Sequence, residues 1–191
     1  LCLAIPAGEN LIAEKSMKPG AIVKSYSGKK VIIEHTDAEG RLILADAIHY
    51  SQKKWKPAQT WVAATLTTAA LRQFSGYFTA AHFAPEDLQH KINQAAAEWG
   101  ECFTHWGQFL PFLKGNHTPA ADLTNMGRLP AKAVSGSGSN VAAHFLKEFA
   151  LSPIVHFDIF ASTWNWRNDY PGAHYAATGA PFNSLFKTLN P

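Results

Sequence analysis

Short apolar runs of strand length alternate along this chain with longer segments of helical spacing, and this alternation limits the fold more than any other feature. Leu1 to Ile5 reads as a buried strand stopped by Pro6. Ala21 to Tyr26 and Lys30 to Glu34 alternate in polarity on either side of Ser27-Gly28 and read as a hairpin. In Leu42 to Gln52, residues Leu42, Leu44, Ala45, Ile48 and His49 fall at roughly helical spacing. Thr60 to Thr65 is a short apolar run suited to a buried strand. Glu86 to Trp99 reads as a helix, with Pro85 before it, two acids in its first turn and Gly100 after it. Ser139 or Asn140 is expected to cap a helix through Val141, Phe145, Leu146 and Phe149. Ile154 to Ile159 reads as a central strand and Pro181 to Leu189 as a last short helix. Strands interleaved with helices predict one α/β unit, a mixed, largely buried β-sheet flanked by helices.

The composition permits such a core. The chain has 191 residues, of which 47% are hydrophobic, and this excludes a disordered chain. Charged residues make up 16%, against about 25% in ordinary domains, so part of the surface is expected to be covered by another surface. The apolar start at Leu1 adds the expectation that the chain is a piece of a longer protein. The net charge is only +3. The lysines are spread out and arginines are few, which argues against a nucleic-acid-binding face. Cys2 and Cys102 fit no disulfide framework and no metal spacing, and point weakly to a reducing compartment. The N-terminal run has no basic flank and no apolar run approaches the ~20 residues of a membrane span. A cytoplasmic protein without a membrane partner is the expectation.

The segment His35-Thr36-Asp37-Ala38-Glu39-Gly40-Arg41 carries the most chemistry. If it is extended, Asp37, Glu39 and Arg41 point to one side. Two converging carboxylates repel each other unless a cation neutralises them, and a divalent metal accepts carboxylate oxygens readily. Arg41 would then be a fixed positive fork suited to an anion. The same residues also suit an exposed turn whose acids precede the helix at Leu42. Spacing alone leaves both readings open, and two carboxylates are an incomplete metal site.

The run His35-Thr36-Asp37-Ala38-Glu39-Gly40-Arg41-Leu42 resembles the Asn-Thr-Asp-Ala-Glu-Gly-Arg-Leu signature of the leucyl aminopeptidase family, differing only at His35. Glu9-Asn10, Lys18-Pro19-Gly20 and Ser27-Gly28-Lys29 resemble the family's approach to that signature. Ala63-Ala64-Thr65-Leu66-Thr67 is similar to its Ala-Thr-Leu-Thr-Gly segment. Ala121 to Asn125, Phe145 to Phe149 and His156 to Ile159 resemble three later landmarks in the same order. The likeness covers nearly the whole chain and places it in the C-terminal part of the catalytic domain.

The resemblance implies a concrete chemistry. Asp37 and Glu39 would ligate a pair of divalent ions, zinc or manganese, and Arg41 would anchor a bicarbonate that serves as general base. Backbone groups around Thr65, Leu66 and Thr68 would orient a peptide substrate by its free amino end, with Phe160 at the floor of the side-chain pocket. The family's remaining ligands, one Lys and two Asp, and its catalytic Lys are expected upstream of Leu1. The resemblance also implies a homohexamer, which suits the low charge content. Thr68 stands where the family commonly has Gly, and Phe160 where it commonly has Ala, so the pocket is expected to be reshaped. The alternatives are a non-catalytic scaffold or DNA-binding member of the family, an inactive fragment lacking half the metal site, or a cleavage product that stays docked to its other half.

Other candidates read as structural. The nine histidines are scattered, and His156 with Asp158 reads as a buried polar contact. Ser135 to Ser139 lacks the ending of a phosphate loop. Trp164, Trp166, Tyr170 and Tyr175 read as an aromatic loop at a subunit contact.

Overall fold

The computed structural model describes residues 1–8, 11–127, 138–165 and 176–190. They cluster into two compact units. The class is the expected mixed α/β, with the strands divided between two four-stranded sheets.

The first unit spans Leu1–Thr60, Phe109–Ala133 and Val141–Pro153. β1 (Ile22–Lys24) and β2 (Lys30–Ile32) form the expected hairpin, with Val23 opposite Val31. Ser25 N donates to Lys29 O and Gly28 N to Ser25 O, each at 2.9 Å. Gly28 sits at φ +93°, where a side chain would be strained. β2 continues parallel to β7 (Ala121–Thr124), and β7 runs antiparallel to β6 (His117–Thr118), giving the order β1-β2-β7-β6. The long helix α1 (Gly40–Trp55) buries Ala45 and Ile48. It also buries Gln52, whose amide is fully used: it donates to Thr60 Oγ1 and Ser152 O, and accepts from Leu151 N and Ser152 N. A buried amide satisfied in this way costs little, and it fixes the Leu151-Ser152 turn. The short α4 (Leu110–Lys114) precedes β6. Val141–Leu146, the body of α5 (Gly138–Lys147), supplies the most apolar stretch of the unit, and the Phe145 and Phe149 rings lie 5.0 Å apart.

The second unit spans Trp61–Gln108, Val134–Asn140 and Ile154–Pro191. Its sheet has the order β3-β8-β4-β5, from β3 (Thr60–Ala64), β8 (Ile154–Asp158), β4 (Phe78–His82) and β5 (Cys102–Trp106). β4 pairs antiparallel with β8, Ala81 opposite Phe157, and parallel with β5. Alternation along β4 and β8 sorts the side chains. One face carries Ala81, Val155 and Phe157, packed with Leu88 and Ile92 of α3 (Glu86–Trp99) and Leu185 of α6 (Phe182–Leu189). Each such aliphatic or aromatic side chain contributes about 1.5–3 kcal/mol by leaving water. The other face carries Ala80, packed with Ala70 of α2 (Thr68–Phe74) and with Ala161. The same face bears His82, His156 and Asp158, which are all fully buried.

Several expectations need correction. Leu1 to Ile5 is no strand: Leu1, Leu3 and Ile5 are exposed, and no described strand pairs with them. Apolar composition makes a strand only where a sheet edge accepts it, and among the described residues neither sheet takes up this segment. α5 begins at Gly138, so Ser139 lies inside the helix and not at its cap. α1 extends beyond the expected range at both ends. Glu9, Asn10, Ser135 to Ser137, Trp166, Tyr170 and Tyr175 lie outside the described residues. Trp164 forms an isolated bridge with Ala177. Both cysteines are free and exposed. No described helix is long and apolar enough to cross a membrane.

Candidate metal and substrate sites

In the first unit, the segment takes the second of the two conformations that spacing leaves open, a single 3-10 turn, Thr36–Ala38, running into α1. The alternate-residue alignment of Asp37, Glu39 and Arg41 that an extended segment would give is not formed. Helix geometry starts at Gly40 and rotates successive side chains by about a third of a turn. Asp37 is exposed, Glu39 is half-buried at the N-cap of α1, and Arg41 is buried at 7% exposure. The Glu39 carbonyl accepts from Leu42 N at 2.9 Å and Ile43 N at 3.2 Å, while its carboxylate makes no capping bond. Glu39 also borders a shallow, largely apolar groove of about 250 Å³ with Met17, Val23, Leu42 and Ile43.

The turn is held from outside by side chains. His35 Nδ1 accepts from Asp37 N at 3.1 Å and caps the turn. Asn125, fully buried at the end of β7, does the rest. Its Oδ1 accepts from Glu34 N at 2.8 Å and His35 N at 3.3 Å, and its Nδ2 donates to His35 O at 2.6 Å and Ala38 O at 3.4 Å. One amide thus replaces the ladder that the chain leaves after β2. Its own backbone N–H donates to Ile32 O at 3.1 Å, which keys the clamp to the sheet.

The donor set fits a divalent ion in kind. Asp37 and Glu39 are oxygen donors two residues apart on one rigid turn, as hard and borderline cations accept. In number it falls short, since no group of three or more His, Cys, Asp or Glu converges among the described residues.

In the second unit, Thr65 and Leu66 follow β3, and Thr68 is the first residue of α2. Thr65 and Thr68 are exposed, Leu66 and Phe160 half-buried. Thr67 caps α2, its Oγ1 accepting from Ala70 N at 3.2 Å. Thr68 has helical backbone, which accommodates its Cβ without strain. The Asp158 carboxylate gathers this loop: Oδ1 accepts from Leu66 N at 3.2 Å, Thr67 N at 3.3 Å and Phe160 N at 3.4 Å. Oδ2 accepts from Thr67 Oγ1 at 2.6 Å and Ser139 Oγ at 2.9 Å. Ser139 Oγ also meets His82 Nε2 at 2.9 Å, and the His82 ring stacks on His156 at 5.8 Å. His156 Nδ1 bonds Val62 O, so His156 and Asp158 share a face and have different partners.

The family model for the catalytic domain of the cytosol aminopeptidases matches residues 1–186. The chain belongs to the cytosol aminopeptidase family. Curated relatives named probable cytosol aminopeptidase are 34% identical over 187 residues in Fusobacterium nucleatum and 36% identical over 191 residues in Burkholderia mallei. Each alignment covers 97% of this chain. The chain spans 38% and 35% of those relatives' lengths, a little over a third. A solved structure of a mutant tomato leucine aminopeptidase superposes with a TM-score of 0.81 at 28% identity, over 94% of this chain and 34% of the other. Cytosol aminopeptidase membership therefore rests on nearly the whole described fold.

The sequence reading singled out the Asp37-Glu39-Arg41 and Thr65-Leu66-Thr68-Phe160 sets but passed over what holds them. In the sequence Asn125 stands out only as a member of a matching segment, and Asp158 also as a buried polar contact with His156. Asn125 follows β7 and Asp158 ends β8, which is the available signal.

Proposed function

We propose that the protein containing this chain is a metal-dependent aminopeptidase that releases N-terminal, leucine-type residues from peptides in the cytosol. The observation that carries the reading is the clamped turn, in which a family signature presents Asp37 exposed and Glu39 half-buried on one rigid support. Asp37 and Glu39 are the proposed ligands of a pair of divalent ions, zinc or manganese. The full ligand set needs further donors, because no group of three or more converges among the described residues. Bound there, the ions supply Lewis-acid polarisation of the scissile carbonyl and an acidified water.

The chain's own residues do the remaining work. Buried Arg41, fixed in the first turn of α1, presents a planar fork of donors suited to a bicarbonate anion. The exposed backbone around Thr65, Leu66 and Thr68 aligns the substrate main chain. Half-buried Phe160 limits the side-chain pocket and favours smaller first residues than an Ala there would. The proposed assembly is the hexamer that the resemblance implies, with peptides as substrates and no role for nucleic acid or membrane.

The test uses the full-length protein with a leucyl peptide and its N-acetylated form. Release of leucine from the free peptide only, abolished by a chelator and restored by zinc or manganese, is the expected result. Equal cleavage of both peptides, or activity indifferent to chelation, contradicts the reading.

A further inference from the structure

We propose that Asp158 is the positioning residue of the substrate loop, an inference that rests on the reading of Leu66, Thr68 and Phe160 as substrate contacts. Asp158 ends β8 and is fully buried. A carboxylate is an acceptor-only group with about four lone-pair sites. Here the bonds go to three backbone N–H groups, of Leu66, Thr67 and Phe160, and to two hydroxyls, of Thr67 and Ser139. Every segment proposed to touch substrate in this unit is therefore tied to one side chain.

Among the described residues, Asp158 Oδ1 is the acceptor for both Leu66 N and Thr67 N. The two residues lie between β3 and α2, past the last ladder position and before the first helical bond. The strand below them is pinned separately, Ile159 N donating to Ala64 O at 2.9 Å. With Asp158 removed, the peptide units at Leu66 and Thr67 lose the acceptor that sets their orientation, while β3 and β8 keep theirs. Backbone groups aimed at a substrate then lose alignment, and displacements near 1 Å are enough to cost about 100-fold in reaction rate.

The two oxygens separate orientation from charge. Among the described residues, Oδ1 accepts from N–H donors and Oδ2 from hydroxyls, which can also accept. Asp158→Asn can keep an oxygen toward Leu66, Thr67 and Phe160 and donate its amide to Thr67 and Ser139. Asp158→Ala keeps neither.

The test measures kcat, KM for a leucyl chromogenic amide, metal content and circular dichroism on the full-length enzyme. Asp158→Ala is expected to raise KM about tenfold or more with metal content unchanged, and Asp158→Asn to recover KM to within about threefold of wild type. Should Asp158→Ala not fold, Thr67→Val serves in its place: it removes the hydroxyl held by Oδ2, and KM is again expected to rise at constant metal content. A folded, metal-loaded Asp158→Ala or Thr67→Val enzyme with wild-type KM overturns the inference and leaves the aminopeptidase reading standing. A wild-type protein that binds no metal and leaves the amide intact removes both.

Discussion

Asn125 grips His35 from both sides, its Oδ1 accepting from His35 N at 3.3 Å and its Nδ2 donating to His35 O at 2.6 Å. The same amide reaches Glu34 N and Ala38 O, so the turn bearing Asp37 and Glu39 hangs on one buried side chain. Asn125→Ala strands buried N–H and C=O groups, at a cost of about 2–4 kcal/mol. Asn125→Asp keeps the shape, but turns an acceptor toward the His35 and Ala38 carbonyls and so loosens the turn. Chemical denaturation and metal titration of the full-length protein check this. Both variants are expected to lower stability, and Asn125→Asp to weaken metal binding despite its nearly unchanged volume.

Two glycines divide steric need from functional need. A Cβ at Gly127 would collide with Val141 Cγ1 and meet Asn116 Oδ1 at 2.6 Å, both on buried residues. Gly127→Ala is expected to destabilise by about 1–3 kcal/mol through overpacking. A Cβ at Gly40 meets nothing within 4 Å. Gly40→Ala, at the first residue of α1, is expected to leave stability unchanged or raise it by up to about 1 kcal/mol. Thermal melts of the two variants side by side check the contrast. A loss of activity in a stable Gly40→Ala protein would show that the open space is needed by a ligand.

Glu148 gives the first unit an acid-sensitive tie. Burial pushes its carboxyl up, but the hydrogen bond and charge of Lys29, followed by the charge and hydrogen bond of His117, outweigh burial and hold it below its ordinary value of 4.5. The ion pairs measure 2.8 Å to Lys29 and 3.3 Å to His117. A depressed carboxyl stabilises the fold fully above its unfolded value, and that contribution is lost as pH falls through the lower native value. Stability measured from pH 7 down to pH 3 is expected to fall on the acid side in wild type. Glu148→Gln is expected to start lower and show a flatter acid limb.

Much of the fold was legible because local signals agreed with tertiary packing. α3 has the bounds that Pro85, its acidic first turn and Gly100 imply. The hairpin around Gly28 follows from alternation and a turn that needs positive φ. Asp-x-Glu-Gly-Arg suits both an extended face and a turn before a helix, so spacing leaves the conformation of the carboxylate segment open. Distant Asn125 supplies bonds that make the turn stable, and spacing cannot reveal them. β4 and β5 escaped notice because Phe-Thr-Ala-Ala-His and Cys-Phe-Thr-His-Trp carry no clear alternation. Their strand state comes from pairing with β8 and with each other. Leu1 to Ile5 failed for the opposite reason, having the composition of a strand and no described neighbour to complete it. The candidate residues themselves came from a signature, and their supports from the folded chain.

The central claim is that Asp37 and Glu39 are ligands of a paired metal site, and metal counting tests it most directly. Full-length wild type, Asp37→Asn and Glu39→Gln would be purified, loaded with zinc or manganese, desalted and assayed by elemental analysis. Both substitutions preserve volume and remove charge, so folding is expected to survive. The account expects about two ions per subunit in wild type and a loss of about one or more in each variant. Undiminished metal in both variants would contradict it.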